Sequence, residues 1–452
     1  MRILSRLNRN YWLKSGIINL LQNFVTLVVS FGSFYFLIRI LDKGDFGIWV
    51  LFMSTVSIME FARTGLISKS LITYLSSNAV QEHNFIITTS FIINLLVTAI
   101  LSITCYLCAP FLCNLWGAPQ LIPIFNLYLI AFAVTAFMVQ YNAIEQAYLQ
   151  FNGVFLSNLV KQLVLMGFIL YKFFMAQETT LITLVQVMIV GGAAATLVSI
   201  LFVNRSFLLF GKLDKRWMKQ LLHYGKYSFG TNMAAVISGS VDQMMIGGLV
   251  SPVSAGIYNI AVRITNMINV PTNAMATIVF PQSARRLEDQ GDWAVKYLYE
   301  KSVGTVLAML LPVATFAFFL AEPIVHFIGD NRYPETIPLL QITLFSVLFV
   351  PYTKQFGTIL ESIGRVKLNF YITLISVTFN VALNYLFIRQ WGIIGAATAT
   401  LFSYFLLFIT TQIILKRTLD ISFSAVWIYA FRSYGEIYYR FMGNKGTEEA
   451  KH

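Results

Sequence analysis

Apolar stretches of about 20 residues, the length that crosses a bilayer as a helix, recur along the chain with short polar turns between them. The segment between Glu82 and Glu145 contains no Asp, Glu, Lys or Arg, which leaves room for two spans. The pattern predicts an all-α polytopic membrane protein with 12 transmembrane helices. The predicted spans are residues 16–39, 46–68, 84–109, 119–144, 154–175, 180–204, 226–249, 255–280, 302–322, 336–360, 368–389 and 391–415.

The pattern repeats once, because a shift of 209 positions lays a helix-turn-helix near the start of the chain on one in its middle. The paired residues are Gly16 with Gly225, Asn23 with Asn232, Gly47 with Gly256 and Ile48 with Ile257. Six spans per copy give both copies the same orientation, a plan that recurs in transporters. We predict an N-terminal lobe (1–208), a cytoplasmic linker (209–225), a C-terminal lobe (226–416) and a basic aromatic cytoplasmic tail (417–452).

The composition excludes an ordinary soluble protein, since 57% of the residues are hydrophobic and 12% are charged. Of the 32 Lys and Arg residues, 23 fall in segments on the side of the termini and 5 in the turns on the other side. This asymmetry predicts that both termini are cytoplasmic, and it explains the net charge of +12 without a nucleic-acid partner. The tail pattern predicts an amphipathic helix on the cytoplasmic membrane surface.

The sequence contains no motif for a metal site or a catalytic site. The four histidines stand beside no Cys, Asp or Glu at metal-ligand spacing, and Cys105-x-x-Cys108 lacks a second ligand pair. No glycine-rich loop that would hold a phosphate is present, and no long extramembrane loop offers catalytic residues for a glycosyltransferase. We therefore expect no metal site, no catalytic residue and no enzymatic activity.

Polar residues recur at three- and four-residue spacing in predicted helices 1, 7 and 8, so each set shares one helix face. Such stripes either form hydrogen bonds between helices or line a wet cavity. We favour the cavity because the stripes occur in corresponding halves of the repeat. Its predicted lining residues are Asn19, Asn23, Asn232, Asn259 and Asn266.

We single out seven ionisable residues within predicted spans or, for Glu145, at the end of one. A charge inside a span costs about 3 kcal/mol on insertion scales, so each of these residues is a candidate site. The bases are Arg63, Lys161, Arg263 and Lys354, and the acids are Glu60, Glu145 and Asp242. Arg263 and Lys354 have no acidic partner close in sequence, so they are the best candidates for binding an anion such as phosphate. Lys354 follows Pro351, which allows a kink.

The acids leave alternatives open. Asp242 lies on the polar face of helix 7, where it either takes a coupling ion, H+ or Na+, or forms an ion pair with Arg263. Glu60 and Arg63 are three residues apart on helix 2, so they are either a structural ion pair or part of a site.

Glu145 is a third candidate for ion coupling, like Glu60 and Asp242. Both Glu145 and Lys161 lie toward the cytoplasmic ends of their helices, where a side chain that reaches the membrane surface is the alternative.

Several segments resemble the bacterial oligosaccharide flippase family, the Wzx-type polysaccharide transporters of the multidrug/oligosaccharidyl-lipid/polysaccharide exporter superfamily. These segments are Arg39-Ile40-Leu41, DKGDFGIW, VDQMMIGGLVSPVSAGIYNIAVRI, FPQSARRLED and WGIIGAATAT. The resemblance covers about residues 10–416. It implies two six-helix lobes in a V around a central cavity, and basic cavity residues at Arg263, Lys354, Arg63 and Lys161.

The resemblance further implies that the protein moves an undecaprenyl-diphosphate-linked oligosaccharide, an O-antigen or capsule repeat unit, to the outer leaflet by alternating access. The expected partners are this lipid-linked glycan, membrane lipid and other membrane proteins of polysaccharide assembly. The expected location is the bacterial inner membrane. The alternative function is a drug or metabolite cation antiporter of the same superfamily, which would have a net acidic cavity.

Overall fold

The computed structural model describes residues 25–77, 80–204 and 211–448, which form helices joined by turns with no strand among them. A short 3-10 turn at Val80–Glu82 precedes the third helix. The helices are α1 (Val25–Ile40), α2 (Lys43–Ser77), α3 (His83–Leu115), α4 (Leu121–Ala147), α5 (Asn152–Phe174), α6 (Leu181–Phe202), α7 (Lys215–Leu249), α8 (Pro252–Ile268), α9 (Val270–Gln290), α10 (Asp292–Phe319), α11 (Ala321–Gly329), α12 (Thr336–Ser346), α13 (Val350–Ser362), α14 (Val366–Leu419) and α15 (Phe423–Glu448).

The apolar content and length of these helices confirm an all-α multi-pass membrane protein. Within the described ranges, seven helices are long and apolar enough to cross a membrane, or eight if α12 and α13 form one bent span. The 54-residue α14 is a hairpin of two helical arms, because Gly392 breaks the helical backbone with a φ of 58°. Its arms coincide with the last two predicted spans, and the total of twelve stays a prediction.

Two predicted spans are each divided into two helices. The predicted span 255–280 breaks at Asn269 between α8 and α9, and the predicted span 336–360 bends by 44° between α12 and α13. In both cases a proline, Pro271 or Pro351, stands in the first turn of the second helix. Proline lacks the N–H that would continue the preceding helix, so the kink expected near Pro351 is present, and Pro271 accompanies the break at Asn269.

The contacts divide the chain into two compact units, the first formed by Met1–Ser240 with Ser251–Gly256 and the second by Val241–Val250 with Ile257–His452. In the first unit, the start of α7 packs against α2 and α3 through buried Trp217, whose ring meets Tyr74 edge to face. The glycines paired by the repeat, Gly47 and Gly256, lie against each other there, since a Cβ on Gly256 would stand 3.0 Å from the Cα of Gly47. The predicted lobe boundaries stay a prediction.

In the second unit, α15 packs along α10 with both helices running in the same direction. The Ser422 N–H donates to the Glu300 carboxylate over 2.8 Å, and the Tyr434 hydroxyl donates to the Ala308 carbonyl over 2.6 Å. Between them, Gly304 allows close approach, because a Cβ there would stand 2.5 Å from the Val426 carbonyl oxygen. The sequence predicts a helix in the tail, but its packing along α10 is new information.

Candidate functional site

A polar cluster in the first unit joins three helices through the carboxylate of Glu60. The Lys161 ammonium on α5 contacts Glu60 Oε1 on α2 at 2.9 Å, and the Tyr128 hydroxyl on α4 donates to the same oxygen over 3.1 Å. The side chains of Lys161 and Glu60 are 28% and 32% exposed. The two side chains are therefore paired within the fold and only partly buried.

Arg63 occupies the same cluster but is 1% exposed, which makes it one of the largest fully buried side chains described. Its guanidinium donates to the Phe132 carbonyl and to the Thr135 hydroxyl on α4, and it lies 4.1 Å from the Phe132 ring centroid. Arg63 thus ties α2 to α4, whereas the contact that neutralises Glu60 comes from Lys161. The cluster holds two bases and one acid.

A second polar cluster, in the second unit, surrounds the carboxylate of Asp242 on α7, which is 7% exposed. Oδ2 accepts hydrogen bonds from Thr400 over 2.7 Å and from Tyr258 over 3.1 Å, and Oδ1 accepts one from the Asn384 amide over 2.7 Å. All three donors are neutral. The ion pair with Arg263 that the sequence left open is not formed, since these three side chains occupy the carboxylate.

Behind Asp242, a short chain of amide and hydroxyl groups continues along the arms of α14. Asn384 also donates to Asn380 Oδ1 over 3.1 Å, and Asn380 donates to Ser403 Oγ over 3.2 Å. Asn384 is fully buried, and its own carbonyl oxygen has no hydrogen-bond partner among the described residues. A buried acceptor beside a carboxylate is a favourable position for a cation or a water molecule.

Glu145 has a different position, at the junction of α4 and α5. Its side chain is 1% exposed, and its carboxylate accepts the backbone N–H of Val154 in the first turn of α5. Gly153 leaves the space for this carboxylate, because a Cβ there would overlap it. A negative charge at a helix N-terminus is stabilised by the helix dipole. The geometry is that of a helix cap, and the predicted role of Glu145 in ion coupling stays a prediction.

The two best predicted anion ligands lie in the second unit, apart from the Asp242 cluster. Arg263 on α8 is partly buried, and Lys354 on α13 is exposed. The Lys354 ammonium forms no ion pair or hydrogen bond with the residues that the structure describes. It is therefore the in-span base most available to a ligand.

The predicted cavity-lining asparagines are only partly described. The Asn259 amide donates to Gln243 over 3.0 Å, and Asn266 is exposed on α8. Asn19 and Asn23 lie outside the described residues, as does the side chain of Asn232. Their role as cavity lining stays a prediction.

Sequence reasoning missed the neutral side chains of the two clusters. Tyr128, Tyr258, Asn384 and Thr400 donate to a carboxylate, and Asn380 accepts from Asn384. A signal existed for the asparagines, because Asn380 and Asn384 are four residues apart in an apolar helix and so share one face. The tyrosines gave no such signal, since aromatic residues are common throughout this chain. No group of three or more His, Cys, Asp or Glu that could hold a metal occurs in the described part of the chain.

Comparison with solved structures places this fold beside known transporters. The lipid II flippase MurJ in its inward closed conformation matches with a TM-score of 0.73 and 14% identity over 95% of this chain and 93% of that one. An inward-facing multidrug resistance MATE family transporter matches with a TM-score of 0.74 and 15% identity over 87% of this chain and 96% of that one. At such low identity these likenesses support the fold alone.

Curated relatives carry names from glycan biosynthesis. The lipopolysaccharide biosynthesis protein WzxC of Escherichia coli is 21% identical over 84% of this chain and 74% of its own length. The probable low-salt glycan biosynthesis flippase Agl15 of Haloferax volcanii is 23% identical over 41% of this chain and 39% of its own. The chain spans less than half the length of the first curated relatives it matches. A family model described as polysaccharide biosynthesis protein matches residues 36–338, two thirds of the chain, and the protein therefore belongs to this family.

Proposed function

We propose that this protein is a flippase that moves a polyprenyl-diphosphate-linked glycan from the cytoplasmic to the outer leaflet of the bacterial inner membrane by alternating access. In this proposal it is a transporter rather than an enzyme, and both termini are cytoplasmic. The family match and the names of the relatives support the class of substrate. The finer identity, an O-antigen or capsule repeat unit on undecaprenyl diphosphate, follows the resemblance in the sequence.

The observation that carries the proposal is which charged groups of the predicted spans have hydrogen-bond or ion-pair partners. All three acids are engaged: Glu60 by Lys161, Glu145 by a helix N-terminus, and Asp242 by three neutral donors. Lys354 is exposed with no acidic partner in the described chain. An ammonium without an acidic partner is suited to bind an anion. Asp242, whose described partners are all neutral, is 7% exposed, which suits a small ion better than an organic cation. The geometry therefore favours the flippase over the cation antiporter.

In this proposal, Lys354 and Arg263 bind the diphosphate, and Lys161 is a weaker ligand because Glu60 competes with the phosphate for its ammonium. Arg63 would support this region by fixing α2 against α4, since its guanidinium is buried in the described conformation. The prenyl chain would stay in the lipid while the sugar head group is carried. Membrane lipid and other polysaccharide-assembly proteins remain proposed partners.

Asp242 is the proposed site of the coupling ion, H+ or Na+. A buried carboxylate with only neutral donors keeps an uncompensated charge, which binding of a cation removes. Four oxygen atoms lie together there: both carboxylate oxygens and the hydroxyls of Thr400 and Tyr258. Hard cations bind such oxygen ligands, so the set suits Na+ as well as a proton. The bound ion drives transport only if it stabilises one conformation over the other.

The decisive experiment locates the lipid-linked glycan in a deletion strain that has no second flippase. A membrane-impermeant, sugar-modifying enzyme is added to intact spheroplasts and to inverted vesicles. We expect complete units to be modified only in inverted vesicles, with surface polymer lost, and complementation to restore access from outside. Normal polymer without trapped units would reject the flippase, and efflux of organic cations would be measured next.

A further inference from the structure

A groove runs between the two arms of α14, residues 366–391 and 393–419. The cavity has a volume of about 270 Å³. Most of its wall is apolar, but three hydroxyl residues, Ser376, Ser403 and Thr410, line it. At about 30 Å³ for each water molecule in the liquid, this volume has room for several waters along the hydroxyls.

The groove is connected to Asp242 by the chain of hydrogen bonds described above. Ser403 lines the groove and accepts from Asn380, which accepts from Asn384, which donates to Asp242. Because Ser403 accepts the Asn380 proton, its own hydroxyl proton is available to a group in the groove. One end of this polar chain is thus a buried carboxylate, and the other end is a cavity wall.

Asp242 lies nearer to one end of its helix than to the other, so a path from it to the cytoplasm has to cover the longer distance. Asp242 lies seven residues before the end of α7, which is about 10 Å of helix. Its partner Asn384 lies 18 residues after the start of α14, which is about 27 Å. With the predicted orientation, the carboxylate is close to the outer face and far from the cytoplasm. The groove occupies the long side, between Asn384 and the cytoplasmic ends of the two arms.

We propose that the groove between the arms of α14 is the cytoplasmic half of the path that the coupling cation follows from Asp242. The cation enters over the short outer distance, is held by the oxygens around Asp242, and leaves along Asn380, Ser403, Ser376 and Thr410. Water in the groove hydrates the departing cation, which the apolar wall alone would not do. This inference rests on the proposed coupling role of Asp242.

The test measures access of water to the groove. Single cysteines replace Ser376, Ser403 or Thr410 in a background in which Cys105, Cys108 and Cys113 are serine. Thr378→Cys is the matched control, because Thr378 is an exposed hydroxyl residue of the same arm that does not line the groove. A charged, membrane-impermeant methanethiosulfonate is applied to inverted vesicles and to right-side-out vesicles, and the rate of modification is followed by mass shift.

We expect the three groove cysteines to react from the cytoplasmic side about tenfold faster or more than the control, because the reactive thiolate forms in water and not in lipid. Equally slow reaction of all four cysteines would overturn the proposal, since the groove would then hold lipid. Reaction from the outer side alone would also overturn it. Cysteine labelling does not require transport. The labelling result can therefore be interpreted even if the protein fails the flippase assay.

The link to Asp242 is tested by repeating the Ser403→Cys measurement in NaCl and in choline chloride. Sodium should slow the modification in the protein with Asp242 and have no effect with Asp242→Asn, because the cation orders the connecting amides. A sodium effect that survives Asp242→Asn, or no effect in either protein, would show that the groove does not communicate with this carboxylate.

Discussion

The two polar clusters, around Glu60 and around Asp242, stabilise a carboxylate inside a membrane protein in opposite ways. In the first unit, Glu60 is neutralised by Lys161, while the two terminal nitrogens of Arg63 donate to a backbone carbonyl and a hydroxyl. In the second unit, Asp242 has three neutral donors and no base. The acid of the first cluster has its counter-charge within the chain, whereas the acid of the second would gain one from an added cation. The first cluster is therefore suited to hold helices together. The second is suited to bind a cation, which changes its net charge.

The largest expected effect is on stability, in the first cluster. Arg63→Ala removes the guanidinium that links α2 to α4 through the Phe132 carbonyl and the Thr135 hydroxyl. Loss of one partner from a buried charged network costs about 3–5 kcal/mol of unfolding free energy. Thermal unfolding in detergent measures it. Lys161→Ala is the control, since its partly exposed pair should contribute about 1 kcal/mol or less. Equal losses would remove the distinction between the two bases.

The next effect is on coupling, in the second cluster. Asp242→Asn removes the only charge among the oxygen ligands of the proposed cation, so sodium-stimulated flipping in proteoliposomes should fall roughly 100-fold, the equivalent of about 3 kcal/mol for a charged ligand. Glu60→Gln in the first cluster should keep the sodium dependence. If Glu60→Gln abolished it and Asp242→Asn kept it, the assignment of the two clusters would be reversed.

A smaller effect concerns the anion. Lys354→Ala should raise the KM for lipid-linked glycan about tenfold with little change in sodium dependence, since it removes one charge-assisted contact to phosphate. Lys354→Arg should recover most of the affinity, because the charge is kept. Flipping assayed over a range of substrate concentrations separates KM from kcat. An unchanged KM in Lys354→Ala would exclude Lys354 as an anion ligand.

The smallest effect distinguishes the two tyrosines that donate to buried acids. Tyr258→Phe removes one ligand of the proposed cation, and we expect the apparent sodium affinity to fall about fivefold, near 1 kcal/mol for one hydrogen bond. Tyr128→Phe removes the equivalent bond to Glu60 in the other unit. It should leave sodium affinity unchanged. Similar shifts for both variants would mean that the clusters are not functionally distinct.

The sequence predicted most of the helices and the charged members of both clusters, because apolar length and rare charges are local signals. It did not predict which groups meet. Thr400 reaches Asp242 across 158 positions, and nothing in the spacing of either residue indicates that contact. Arg63 is a second example. A base three residues from an acid suggests an ion pair with Glu60, but the guanidinium hydrogen-bonds to Phe132 and Thr135 on α4. Contacts between helices depend on packing, which periodicity does not encode.

The turn of the α14 hairpin has a consequence for how the protein is made. Gly392 takes a backbone conformation that side chains disfavour, and a Cβ on Gly395 would stand 2.0 Å from the Phe387 carbonyl oxygen. With no loop between them, we expect the arms to enter the membrane during synthesis as one pair, which with the predicted orientation carries Arg389 across. A reporter domain fused into this turn should therefore block insertion of both arms, and topology mapping is better done at the Gln177–Thr180 turn.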